Sequence, residues 1–343
     1  MSNQTMLAAV FARPGVLELQ QRPIPRIVNP DDVLIEVEGC GICGTDLHIL
    51  EEPPGHPGTP GVIMGHEYIG RVLEVGPGVH FRRPGERVAL APNLNCGLCR
   101  FCRIGRPNHC ENFSTLGIFR DGGLARYSVA PERACYPIAD HVPFEDAVWT
   151  EVLSCVVNSV DNVKALPGQT AVVIGGGPVG ALHALLFLAA GARVIVADVS
   201  QPRLDLLRRV GVHTTINVRE ADLSEAVRAE TGFGAEIVVD AVGTQLGTSL
   251  DLARMGGRIS LFGMNSQALP PVRQNTITRN ELTIYGSYVG VNTFPRAITI
   301  LEQGTIKPSC LISQVASLAE IHQALAALRD GAMMKIVIRH DLR

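Results

Sequence analysis

Aromatic residues make up only 5% of this 343-residue chain, and no run of basic residues occurs in it. Nucleic-acid recognition needs stacking rings or a basic stripe, so that class of function is excluded at the outset. The formal charge is small, -3 with a pI near 6.4, and creates no field that would gather a polyanion. Long apolar runs are also missing. The most apolar tract, residues 181–190, is well short of the roughly 20 residues a membrane crossing needs, and Arg193 soon follows it. The amino terminus has no basic segment leading into an apolar one, so no export signal is expected and the expected location is cytoplasmic. Internal repeats and low-complexity segments are absent.

What is present is a hydrophobic content of 46%, enough apolar residues for a real core, in a chain long enough for two domains. Residues 7–90 read as short strands broken by glycine and proline, with turns at Arg13-Pro14-Gly15, Gly76-Pro77-Gly78 and Arg83-Pro84-Gly85. The clearest strands are 7–11, 33–37, 67–75 and 87–91, and no long helix is expected before Phe144. That pattern suits a closed or partly closed antiparallel barrel. From Val163 the pattern changes. Strands at 170–174, 193–197, 214–217, 236–239, 258–262 and 282–285 alternate with helices at 181–190, 202–210, 223–231 and 246–255, which argues for a doubly wound parallel sheet. Helices near 294–303 and 318–329 and a strand at 335–338 close the chain.

Nine cysteines in a chain without an expected export signal favour thiolates and metal over disulfides. Four of them follow a tight spacing, Cys96-x-x-Cys99-x-x-Cys102 and then Cys110. Four thiolates in so short a loop can enclose one tetrahedral zinc with no open position, which fixes a lobe and does no chemistry. Two disulfides are the alternative, disfavoured by the compartment. A nucleic-acid zinc ribbon is another, disfavoured by a longer usual interval and by the few basic residues, Arg100, Arg103 and Arg106.

The run Gly175-Gly176-Gly177-Pro178-Val179-Gly180 lies after a strand and before an apolar helix, and Asp198 ends the next strand. In that context Gly175 permits a tight turn, Gly177 lets the backbone approach a pyrophosphate, and Gly180 lets helix and strand pack closely. The helix start, with Pro178 and Val179, offers free N–H groups to phosphates. Asp198 would accept from the adenosine ribose hydroxyls and repel a 2′-phosphate, favouring NAD over NADP. Arg203 is read two ways, as a cofactor contact or as a solvated helix residue.

A second set of donors is Cys43, followed by Thr45, Asp46 and His48, together with His66-Glu67. A catalytic zinc takes about three protein ligands and keeps one position open. Read singly, Cys43 is a buried thiol and His66 a turn histidine. Taken together these residues resemble the zinc-containing medium-chain dehydrogenase/reductase family, the polyol, threonine and alcohol dehydrogenases. The similarity rests on Gly65-His66-Glu67-x-x-Gly70-x5-Gly76-x-x-Val79, the four-cysteine lobe, the Asp121-Gly122-Gly123 turn, the Gly175–Gly180 loop and Asp198.

The resemblance implies an α/β architecture: a GroES-like β-barrel catalytic domain (residues 1–154 and 291–343, with the zinc lobe at 93–112) plus a doubly wound parallel-sheet Rossmann domain (155–290). It implies a catalytic zinc on Cys43 and His66 with Glu67, which ligates the metal or sits just behind it, and Glu151, a direct ligand or one bound through the zinc water. It also implies a structural zinc on Cys96, Cys99, Cys102 and Cys110, two zinc ions per chain with NAD. Asp46 is implied to orient His66, with a helix N-cap as its other reading, while Thr45 and His48 pass on the substrate's proton. Cys155 is read as a buried helix thiol. Asn93, and a Tyr288-Val289-Gly290 stretch without arginine, depart from the threonine and sorbitol patterns. The expectation is an NAD-linked zinc dehydrogenase acting on a secondary alcohol or its ketone, with a polyol, sugar, cyclitol or aminocyclitol as substrate, and forming a homodimer or homotetramer. A threonine dehydrogenase-like amino-alcohol dehydrogenase, a ketone reductase or epimerase on the same scaffold, and a non-catalytic NAD-binding protein are the alternatives.

Overall fold

The structure, a computed structural model, describes residues 4–342. The chain divides into two compact units. The first runs through Val152 and takes in Phe294–Asp330 and the stretch from Lys335; the second is Leu153–Thr293 with Gly331–Met334.

The first unit is built around the strand Asp32–Gly41. One edge of this strand pairs antiparallel with Glu67–Val75. Its other edge is shared: residues 32–36 pair with Tyr127–Pro131, and residues 39–41 pair with Ile336–Arg339. Arg87–Leu90 and Cys135–Pro137 extend the sheet on one side and Gln314–Ser317 on the other. Gly39 is what lets the edge be shared, because a methyl group there would strike the Ile338 carbonyl and the Phe144 ring. A ribbon of Thr5–Arg13 and Val16–Pro23 packs through Met6, Ala8 and Val10 on Ile63 and Ala125. The second half of that ribbon was not evident in the sequence, because Val16–Pro23 is largely polar and half exposed.

The second unit holds a six-stranded parallel sheet. Its order is Thr214–Asn217, Arg193–Asp198, Thr170–Ile174, Ala235–Asp240, Ala253–Leu261, Thr283–Gly286. The central strands are buried on both faces and read as continuous apolar runs, as a parallel sheet requires. The chain winds outward in both directions from Thr170–Ile174, so the order reverses beside that strand, where open α/β sheets bind their ligands.

Two element expectations fail. The helix expected over 246–255 stops at Leu252, and Ala253–Leu261 is strand, drawn in by pairing with Ala235–Asp240. The helix expected over 318–329 begins as a 3-10 turn, Leu318–Glu320, before the α-helix Ile321–Arg329. The helix Thr150–Val163, touched on in the sequence only through Cys155, was given no extent there.

Candidate active site

Strand register assembles the first group of donors. Gly41 pairs with Glu67, so Cys43, just beyond one strand, and His66, just before the other, meet at the same end of the ladder. One ligand atom each of Cys43, His66 and Glu67 falls within 4.8 Å of the other two. Gly65 (φ +90°) and Gly117 (φ +79°) hold the approach to His66, for a methyl group on Gly117 would collide with the Gly65 carbonyl.

Asp46 ties two of these donors together. It is 1% exposed. Its Oδ2 accepts from the Cys43 backbone N–H at 2.8 Å, and its Oδ1 faces His66 Nδ1 at 3.5 Å. In the short helix Gly44–Ile49 it occupies the third position and Cys43 is the N-cap, so the reading of Asp46 as an N-cap is replaced by this bridging role. With Nδ1 turned to Asp46, Nε2 is the nitrogen left for a metal. His66 is biased toward the protonated form. Burial opposes that form, but the Asp46 carboxylate and the Cys43 sulfur outweigh it. Burial also pushes the Cys43 thiol up. Thr45 Oγ1 lies 3.7 Å from Cys43 Sγ, and His48 Nδ1 lies 2.9 Å from Glu51 Oε1.

Lys335 was not foreseen. Its ammonium is paired with Glu67 Oε2, both side chains are almost wholly buried, and it sits 5.3 Å from the Trp149 ring centroid. The Ile42 N–H donates to the Ile336 carbonyl at 3.0 Å, which brings the residue before that strand alongside Gly41. A side chain at Gly41 would collide with both Glu67 and Lys335. The one sequence signal was a lysine opening an otherwise apolar strand. Glu151, 9% exposed in the first turn of Thr150–Val163, is not among the three donors that converge.

The residues present fit a divalent cation. Glu67 Oε1 is buried and, among the described residues, lacks a hydrogen bond, whereas Asp46 Oδ1 and His66 Nδ1, which lack one too, face each other. Buried polar atoms normally find a partner, and such an orphaned group marks an ion, a water or strain. With Cys43 as thiolate and His66 neutral, as a metal ligand must be, the three acids outweigh Lys335 by two negative charges, the amount that one divalent ion neutralises.

The four remaining sulfurs also converge, with Cys96, Cys99, Cys102 and Cys110 within 4.8 Å of one another. Backbone N–H groups point at the sulfurs: Leu98 and Cys99 donate to Cys96, at 3.4 and 3.3 Å, and Asn112 donates to Cys110 at 3.3 Å. Those two donors draw the Cys96 thiol down to about 6, whereas burial, with Cys99 and Cys110 beside it, drives Cys102 up to about 12. The donors suit a closed tetrathiolate cage.

In the second unit, Gly175 (φ +99°) turns the chain from Thr170–Ile174 into the helix Pro178–Ala189. A methyl group on Gly175 would come within 2.8 Å of Val242, and one on Gly180 would strike the Gly175 carbonyl. Gly177, the N-cap, leaves its surroundings open, with only Arg203 Nη1 near, at 3.7 Å from the position of a Cβ. Asp198 accepts from the Gly176 and Ser200 N–H groups at 2.6 and 2.7 Å, which fixes its carboxylate at the strand end. Arg203 donates to the Met333 carbonyl at 3.1 Å. Asp240, also unforeseen, holds the loop after its strand through the N–H groups of Val242, Gly243 and Gln245.

Comparison with known proteins gives matching regions in both halves. Residues 29–140 match the alcohol dehydrogenase GroES-like domain and residues 178–303 match the zinc-binding dehydrogenase domain. The chain is 32% identical over 337 residues to the sorbitol dehydrogenase of Bacillus subtilis strain 168, covering 94% of this chain and 93% of that one. A protein of Sinorhizobium meliloti 1021 bound to NADP superposes with a TM-score of 0.93 at 31% identity, covering 98% of this chain and 100% of the other. A protein of Escherichia coli CFT073 complexed with NADH gives 0.92 at 31% identity, with the same coverage. Among the described residues no helix is long and apolar enough to cross a membrane.

Proposed function

The chain belongs to the zinc-containing medium-chain dehydrogenase/reductase family, and on that premise we propose that this alcohol dehydrogenase interconverts a secondary alcohol of a polyol with its ketone. The observation that carries the reading is the buried Cys43, His66 and Glu67 set, braced by Asp46 and Lys335. Its thiolate, imidazole and carboxylate match a catalytic zinc, and the oxygen donor Glu67 makes it richer in oxygen than a site with two thiolates. The sorbitol dehydrogenase relative supports a polyhydroxylated substrate.

Cys43 and His66 would hold the zinc, with Glu67 or Glu151 as the carboxylate, and Cys96, Cys99, Cys102 and Cys110 would hold a second, structural zinc. A bound zinc supplies a Lewis acid that acidifies the substrate hydroxyl. Asp46 keeps the His66 ring in one orientation and pins the Cys43 backbone. Thr45 and His48, three residues apart on a helix and so on the same face, receive the hydroxyl proton and release it to solvent. Gly175, Gly177, Pro178, Val179 and Gly180 would cradle the pyrophosphate of NAD, Asp198 would accept hydrogen bonds from its adenosine ribose hydroxyls, and the bound cofactor would supply the hydride acceptor. We take the first unit as the catalytic domain and the second as the nucleotide domain, with pairing of two copies through the terminal strand Thr283–Gly286.

The test is Cys43→Ser, with zinc counted per chain and a panel of polyols, cyclitols and amino alcohols followed by NADH absorbance. The expected result is a folded protein that keeps one zinc and loses turnover. Near-normal turnover in that variant would overturn the assignment.

A further inference from the structure

The contact between His48 and Glu51 has a geometry that stability does not require. Glu51 Oε1 lies 2.9 Å from His48 Nδ1, with the two side chains 56% and 47% exposed for His48 and Glu51. Exposed pairs of this kind add little to folding. Yet the local backbone is wrapped around this one. The His48 carbonyl accepts from the Glu51 N–H at 3.4 Å and from the Gly55 N–H at 2.9 Å, so residues 48–55 close into a loop on His48. At Gly55 a side chain would begin 2.5 Å from Glu51 Oε2 and 3.4 Å from His48 Nδ1. The loop thus carries a glycine beside the pair, where a larger residue would displace the Glu51 carboxylate from its present position.

We propose that Glu51 is a positioning residue for proton transfer, fixing which nitrogen of His48 is free to take the substrate's proton. The inference rests on the reading of His48 as the relay. Ionised carboxylate only accepts hydrogen bonds, so Nδ1 must carry the hydrogen that meets it. In the neutral ring Nε2 then holds the lone pair. During oxidation the alcohol carbon gives its hydride to NAD, and the hydroxyl proton travels by way of Thr45 to His48 Nε2. The cation so formed keeps its Nδ1–H on Glu51, and Nε2 returns the proton to water, leaving ketone, NADH and one solvent proton. Glu51 takes up no proton in this sequence; it sets the tautomer and orients the ring, as a carboxylate behind a catalytic histidine does.

Two measurements on the zinc-loaded enzyme test this. Nitrogen-15 NMR, with His48→Ala used to assign the His48 signal, reads the tautomer without any substrate. The expected neutral form carries its hydrogen on Nδ1 in the wild type and in Glu51→Gln, and becomes a mixture in Glu51→Ala. A wild-type ring protonated on Nε2 overturns the proposal. The second measurement is a double-mutant cycle in kcat, on whichever polyol of the panel is oxidised fastest. Glu51→Ala should lower kcat about fivefold with KM little changed, Glu51→Gln should recover most of that loss, and Glu51→Ala should cost nothing further in the His48→Ala background. An equal loss in that background would show that Glu51 does not act through His48. If His48→Ala itself left kcat unchanged, the relay reading would fail, while the NMR result would still decide the tautomer.

Discussion

Replacing Lys335 by methionine removes the ammonium paired with Glu67 and leaves a carboxylate that is 1% exposed without that partner. Methionine keeps most of the side-chain volume, so the loss is one of charge and not of packing. Breaking a buried pair by deleting one member costs roughly 3–5 kcal/mol, because the remaining charge stays desolvated. That full cost is expected in the chelator-treated protein. In the zinc-loaded protein the ion offsets part of the Glu67 charge, and the loss should fall to about 1–2 kcal/mol. The double variant Lys335→Met with Glu67→Gln removes both charges and should lie within about 2 kcal/mol of the wild type. Urea unfolding followed by tryptophan fluorescence is the assay. Trp149 is the chain's single tryptophan and its ring centroid is 5.3 Å from Lys335 Nζ, so the probe reports on the right place. Chelation strips the cysteine lobe in every variant equally and cancels in the differences. A Lys335→Met protein within about 1 kcal/mol of the wild type, after chelation, would refute the view that Lys335 neutralises Glu67.

Other predictions follow from the same geometry. Cys99→Ser should reduce the zinc content from two ions per chain to one and make residues 93–112 the first site of proteolysis, as read by metal analysis and limited digestion; a retained second zinc would exclude the tetrathiolate cage. Asp198→Ala should weaken NAD about tenfold in KM and narrow the preference over NADP, because the carboxylate that would repel a 2′-phosphate is gone. Burial drives both His183 and His340 down to about 4. A histidine lowered from about 6.5 keeps its stabilising effect above that pH and loses it as pH falls toward 4. For the fully buried His183 this amounts to about 3 kcal/mol. Unfolding free energy should therefore drop between those two values, and His183→Asn should flatten much of the slope; an unchanged slope would count against burial as the cause.

The second unit was legible because its rules are local. Apolar strands of four to six residues, a glycine run and an acid at the next strand end each speak for themselves, and the parallel order follows from their alternation. The helix Thr150–Val163 shows where that reasoning stops. Five valines with serine and asparagine disfavour helix by propensity, and the segment is helical because Val152, Leu153, Val156, Val157 and Val163 are all buried. The four-cysteine lobe was visible from spacing alone, since its donors lie within one loop. The Cys43 and His66 pair was visible through family likeness, but its geometry comes from a ladder with two register shifts that no short motif records.

Lys335 is the extreme case, arriving at Glu67 from 268 residues further along the chain. This bears directly on the carboxylate that the sequence left undecided. A Glu67 engaged on one oxygen by a buried ammonium has only Oε1 left to offer a metal, whereas the sequence leaves open whether Glu67 or Glu151 ligates the metal directly. If Lys335 holds Glu67 back, the variant that lacks it should bind zinc more tightly, since the released carboxylate can then move to the ion. The choice of ligand is thus set by a partner brought in through strand pairing, and chelator competition on Lys335→Met measures it: tighter retention supports a restrained Glu67, and weaker retention means that the ammonium had been helping to build the site.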